Sequence, residues 1–301
     1  MAQGQRFDQS LYYVAETTPG TTPSTPTLVE IPIAGSPTIK VNKEFNKSAR
    51  VGNRNINKQR HGARSSGGGI PIELAYGDFD ALFESLMCST WSTNVLKVGE
   101  TLKYFTLEHR FPTISEFHPF TGVFANAFSL SATPNGMVTG SFDMLGLGGM
   151  TPASSTVADT STPTAGYEPF DGFSGTITEG GSSANLTALE INIANNGAIA
   201  HRLGLETGNH ANIGQVDITG TSTVFFESET LLNKFLGETE SALTIEFEGI
   251  DGGDLQFDFS TLKYSDASIT ESDEGLLVQM PFSASYDTSD ASSIVITRTP
   301  A

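Results

Sequence analysis

The feature that most limits the fold is an alternation of apolar and polar residues that recurs, in one order, in both halves of the chain. Ile70, Ile72 and Leu74 alternate first. A helical stripe follows, Phe79, Leu82, Phe83, Leu86 and Met87, with Asp78 placed to cap it. Phe105, Leu107, His109 and Phe111 then share one face of a strand over 104–111. Phe124, Phe128 and Leu130 lead through a Pro134-Asn135-Gly136 turn to Val138, Phe142 and Met144. The second half opens with Leu189, Ile191 and Ile193, a Gly/Asn-rich loop over 194–217, and Val224-Phe225-Phe226. A short helix follows with Leu231, Leu232, Phe235 and Leu236, closed by Gly237. Leu243, Ile245 and Phe247 alternate next, then Leu255, Phe257 and Phe259 beyond the 251–254 turn, then Val278, Met280 and Phe282. Ile294-Val295-Ile296 ends the series.

Leu82-Phe83 maps onto Leu231-Leu232, Leu107 onto Ile245 and Phe142 onto Phe282. The pattern predicts an all-β protein with two short helices, built from an internally duplicated strand–helix–strand unit. Alternation buries one face of each sheet and wets the other, so the expected architecture is two packed antiparallel sheets with the helices over their ends. The expected divisions are an extended N-terminal arm over 1–37 and a first half over 38–150. A Ser/Thr/Pro linker over 151–172 and a second half over 173–301 complete them.

Charge separates one segment from the rest. The chain carries 16 Lys+Arg against 34 Asp+Glu. Eight of those bases (Lys40, Lys43, Lys47, Arg50, Arg54, Lys58, Arg60, Arg64) lie between positions 40 and 64, where Glu44 is the one acid. Residues 42–69 lack hydrophobic periodicity and predict a long basic surface loop, ended by a flexible Gly67-Gly68-Gly69 hinge. A basic arm on an acidic body is the pattern of a protein that binds copies of itself head to tail. The net charge of −18 argues against nucleic acid as a tightly held ligand.

Nothing in the sequence points to catalysis. His61, His109, His118, His201 and His210 form no metal-binding pair, and GxSxG, Walker A and GxGxxG runs are absent. Cys88 follows the helical stripe and reads as a small buried residue. No catalytic, cofactor-binding or metal-binding residues are expected. No apolar run approaches the ~20 residues that cross a bilayer, and the N-terminus lacks a signal-peptide core, so a soluble protein without a cleaved signal is expected.

Several segments together resemble the major tail tube protein of long-tailed bacteriophages. They are Ala15-Glu16-Thr17-Thr18-Pro19-Gly20-Thr21-Thr22-Pro23 and the basic run into Arg60-His61-Gly62-Ala63-Arg64-Ser65-Ser66-Gly67-Gly68. The strand–helix over 72–86, Thr106-Leu107-Glu108, Phe120-Thr121-Gly122 and Val138-Thr139-Gly140-Ser141-Phe142 extend it, as do Ile218-Thr219-Gly220 and 231–236. The resemblance implies the phage tail tube fold and a structural virion protein. Six-fold (hexameric) rings would join their inner sheets edge to edge and stack into a hollow tube that conducts DNA. It further implies a homo-oligomer, tape measure and terminator or tip proteins as partners, and assembly in the host cytoplasm.

Under this reading Lys43, Lys47, Arg50, Arg54, Lys58, Arg60 and Arg64 form the inter-ring interface. Glu246, Glu248 and Asp258 are candidate acids of the lumen or of a ring face. Residues 151–175 could carry a small surface elaboration. The alternative is a β-sandwich binding module of adhesin or receptor-binding type without catalysis, which leaves the basic segment unexplained.

Overall fold

The protein is described here from a computed structural model covering residues 3–5, 7–49, 52, 54–56, 58–273 and 275–300. The first half contains β1 (Ser10–Ala15), β2 (Thr27–Ile31), β3 (Lys40–Lys47), β4 (Gln59–Glu73), helix α1 (Asp80–Leu86), β5 (Val95–Lys97), β6 (Phe105–Phe111), β7 (Glu116–Ala132) and β8 (Thr139–Met150). After β9 (Thr160–Thr162) come β10 (Thr176–Glu179), β11 (Ser182–Ser183), β12 (Leu186–Ala194), β13 (Ala198–Ala200), β14 (His210–Asn212) and β15 (Asp217–Phe225). Helix α2 (Thr230–Leu236), β16 (Ser241–Phe247), β17 (Asp254–Tyr264), β18 (Ser268–Ser272), β19 (Gly275–Ala284) and β20 (Val295–Thr299) complete the chain.

An antiparallel ladder runs β3–β4–β8–β7–β12–β15–β19–β18 through both halves. Strand β7 joins the halves. Its residues 116–123 pair with β6 and residues 127–132 with β12, while β8 follows it on the other side. The first-half pairings β3–β4, β4–β8, β8–β7, β7–β6, β6–β1 and β1–β2 are matched one for one. Their counterparts are β12–β15, β15–β19, β19–β17, β17–β16, β16–β10 and β10–β11. Strand β20 closes the chain back onto the first half by pairing with both β17 and β5.

The apolar positions read from the alternation meet in one core. Phe83 of α1 sits edge-on to Phe128 and Phe142, with ring centroids 5.2 and 5.3 Å away, and to Phe257 of the second half at 6.2 Å. Each such ring contributes roughly 1.5–3 kcal/mol through the area it withdraws from water. Gly220 lies under the Phe282 ring, where a Cβ would approach to 2.4 Å, which accounts for the glycine of Ile218-Thr219-Gly220. The stripe of α1 is buried as expected, whereas α2 has no buried residue and leaves Leu236 67% exposed.

Five local expectations are corrected. The 42–69 segment is a β-hairpin, with Lys40 opposite Gly67 and Lys47 opposite Gln59. Its side chains show no alternation because its outer part packs neither face on the core; main-chain bonds and the Phe45–His61 ring contact, 5.0 Å between centroids, hold the strands together. The glycines that were to form a hinge are paired inside β4. A Cβ at Gly68 (φ +149°) would stand 2.3 Å from the Thr38 carbonyl oxygen, so close packing explains the residue better than mobility. The N-terminal arm is extended but paired, with β1 inserted between β2 and β6 and Leu11 fully buried. Asp78 does not cap α1; its carboxylate accepts a 2.6 Å hydrogen bond from the Thr164 hydroxyl. Finally, the 151–172 segment is anchored, since β9 pairs with β2 and the Phe170 ring is buried 6.0 Å from Phe247.

A buried ion pair fastens that segment. Glu108, fully buried, accepts 2.6 Å bonds from Arg110 Nε and the Thr156 hydroxyl, and a 2.7 Å bond from the Val157 amide. Glu108→Ala strands the Arg110 charge and should cost about 3–5 kcal/mol, read as a lowered denaturation midpoint. An unchanged midpoint would contradict this role.

The neighbouring His109 is buried with its ring 4.3 Å from Phe111 and 3.1 Å from the Gln9 side-chain oxygen. Desolvation first, then the His118 charge, pushes its pKa down to about 4. The unfolded chain therefore binds this proton more readily. Its contribution to stability is present above about pH 6.5 and is lost as pH falls toward 4, at up to ~1.4 kcal/mol per pH unit. His109→Gln should flatten that part of a pH–stability curve, and an unaltered slope would refute the assignment.

Candidate functional site: a polar sheet face and a basic hairpin

The ladder presents one face to the core and the other outward. Between the buried Phe128, Leu130, Leu189, Ile191 and Ile193 stand Ser129, Ser131, Glu190 and Asn192, and Thr219 and Thr221 continue the same surface on β15. These side chains line a shallow groove of about 770 Å³ that crosses the β7–β12 junction between the halves. Alternation puts Glu73, Asp143 and Asp217 on the same outward face, among short hydroxyl side chains. Burial pushes the Asp143 carboxyl above the usual carboxylate range. Hydroxyls with a few acids, and Lys40 and Lys263 at the two margins, make up this surface.

This face was missed in the sequence reading, although its signal was present. Its residues are the polar partners of the same alternating runs that gave the core. Glu246, Glu248 and Asp258 stand elsewhere. Glu246 and Asp258 lie on the side of β16 and β17 turned away from the core. There Glu246 accepts a 3.1 Å bond from the Thr176 hydroxyl, and Asp258 a 2.6 Å bond from the Gln256 amide. Glu248 is exposed just past β16. None of the three lines the groove.

The basic residues are carried by the β3–β4 hairpin. Lys47, Arg54, Lys58 and Arg60 are exposed, and Arg50 lies outside the described residues. Two of the set are tethered. Lys43 Nζ donates to Glu206 Oε1 at 2.9 Å, Arg64 Nε lies 3.9 Å from the same oxygen, and the Arg64 amide donates to the Glu206 carbonyl at 2.8 Å. The Lys43 hydrogen bond and the Arg64 charge hold the Glu206 carboxyl below its usual range. The hairpin is thus fixed at its base while its outer cations face solvent.

The Glu16 motif is a structural device. Its carboxylate receives the Gly20 amide (2.6 Å), the Thr106 hydroxyl (2.7 Å) and the Gly122 amide (2.9 Å), which ties the start of the chain to β6 and β7. Burial pushes the Cys88 thiol up to about 11, so it is protonated at neutral pH and a poor nucleophile. Among the described residues no three metal-ligating side chains cluster, and no helix is long and apolar enough to cross a membrane.

Fold and site together define an all-β subunit with a continuous polar sheet face and a charged hairpin. Against protein-family models, residues 7–284 match the phage tail tube protein family, and the chain belongs to it. Among curated proteins no sequence matches the chain. Membership makes this a structural bacteriophage tail protein, one that works as an oligomer among other tail proteins.

If Glu206 holds the hairpin base, Glu206→Lys should speed amide hydrogen exchange across 40–47 without altering exchange in β12. Unchanged exchange in β3 would show that the tether carries no weight.

Proposed function

We propose that this chain self-assembles into rings that stack into the hollow tail tube, and that the tube conducts phage DNA toward the host. The observation that carries the proposal is the outward face of the ladder. A conduit must let a polyanion slide, and a wall of Ser, Thr and Asn with Glu73, Asp143, Glu190 and Asp217 repels phosphates at a distance and offers short neutral contacts nearby. Six-fold rings, as the resemblance implies, would enclose such a bore. Catalysis and cofactors have no part in this role.

Stacking falls to the hairpin. Lys43, Lys47, Arg54, Lys58, Arg60 and Arg64, with Arg50, supply positive charge that fits an acidic face on the adjoining ring. Glu246, Glu248 and Asp258 are assigned to that ring face, because their side of β16 and β17 points away from the groove. Complementary fields of this kind set register and association rate. A two-stranded hairpin without its own core is marginal alone and gains order from a partner. A tape measure protein inside the tube and terminator or tip proteins at its ends complete the partner set, with assembly in the host cytoplasm and residence in the virion tail.

Negative-stain electron microscopy at rising protein concentration should show hollow tubes, and monomers throughout would overturn the proposal. The triple reversal of Arg54, Lys58 and Arg60 to Glu should leave the circular dichroism spectrum and denaturation midpoint unchanged while abolishing tubes. Normal tubes from that variant would remove the hairpin from the stacking contact.

A further inference from the structure

The chain contains its own template for the contact between copies. Superposing the two sets of pairings through Phe142 and Phe282 places β4 on β15, Phe128 on Tyr264, and Ile39 on Ile193. Inside the chain, β7 and β12 meet in an antiparallel register, Phe128 opposite Ile193 and Ser129 opposite Asn192. The counterparts of those two edges are residues 263–268 and 35–40. Within one chain they do not meet. Residues 35–40 bond to β4 on one side, through the Thr38 amide and Gly69 carbonyl (2.9 Å). Residues 263–265 bond to β19 on one side. Among the described residues neither run has a strand on its other side.

We propose, resting on the tube reading above, that residues 263–268 of one copy pair with residues 35–40 of the next, in the register of β7 with β12. Tyr264 then stands opposite Ile39, and Ser265 opposite Thr38, with one rung lacking its donor at Pro37. The alternation supports this. Pro37 and Ile39 face inward like Ile191 and Ile193, and Thr38 faces outward like Asn192. In this register Lys40 stands opposite Lys263, whose charge is engaged within its own chain by Glu240 at 3.5 Å. Beside the second edge, Phe225, Ile269 and Leu276 are 37%, 50% and 47% exposed, apolar surface that a neighbouring copy would cover.

The contact joins unlike edges, so it repeats head to tail and closes into a ring. Each copy brings an eight-stranded run, β3–β4–β8–β7–β12–β15–β19 and the β17–β18 edge. At about 4.8 Å between strands and a tilt near 40°, three copies close a barrel about 50 Å across and six copies one about 100 Å across. Either barrel admits a duplex, and the smaller leaves far less of its bore empty. Each chain supplies two tube units, so a six-unit ring takes three chains.

The test is disulfide trapping of Thr38→Cys with Ser265→Cys, a non-hydrogen-bonded pair of two exposed residues whose Cα atoms would lie about 4.5 Å apart. Each single variant is first checked for the wild-type denaturation midpoint. Under mild oxidation of assembled protein, each single variant alone should stay monomeric and their mixture should give dimers. The double variant should give a ladder that ends at three chains, because the covalent ring is then closed. Tubes that form without this cross-link overturn the edge assignment while leaving the tube function standing. A ladder ending at six chains keeps the junction and overturns the count. Wild-type protein that forms no rings at all overturns both this contact and the function on which it rests.

Discussion

An antiparallel sheet can satisfy every peptide group except those on its two outermost strands, and that constraint organises this molecule. Within the chain the ladder is continuous because β7 is long enough to serve two neighbours in succession, β6 along its first part and β12 along its second. The β7–β12 pairing makes the halves one ladder, which among the described residues ends on the basic β3 side and the acidic β18 side. The Asn195 side chain reinforces the seam by donating to the Leu86 carbonyl at 2.7 Å and, more weakly, to that of Ala125 at 3.3 Å.

The same pleat that closes the core makes the functional surface. Along β7, β12 and β15 the inward Phe128, Leu130, Leu189, Ile191, Ile193 and Ile218 alternate with outward Ser, Thr, Asn or acidic residues, so stability and surface chemistry are written in alternate residues of one sequence. Helix α1 covers the core side with a fully buried stripe, and α2 covers its own part less completely. Among the described residues the polar face carries no helix. The groove across the seam is formed by short side chains whose backbones are fixed on both sides, which gives a smooth wall.

Much of this architecture was legible in the sequence wherever one face of an element is dry. Phe79 to Met87, Leu189 to Ile193, Leu243 to Phe247 and Leu255 to Phe259 all declare their secondary structure because burial sorts their side chains by period. The β3–β4 hairpin was opaque because its outer strands have no dry face to sort against, and its polar, charged residues follow no period. Strands β1 and β2 were hidden by the Thr/Pro-rich residues between them, although Leu11 and Leu28 are fully buried. Of the candidate site, the basic residues were visible as a charge run. The polar sheet face was not, because Ser, Thr and Glu190 stand out only once their strands are known to be neighbours.

The central claim is that the outward face of this ladder becomes the wall of a bore through self-association. A cryo-electron microscopy map of assembled particles would test it most directly. The account predicts a closed ring of strands with Glu190, Asn192 and Thr221 turned toward the axis. A map with those residues on the outer surface, or with the sheet face covered by a neighbouring subunit, would contradict it.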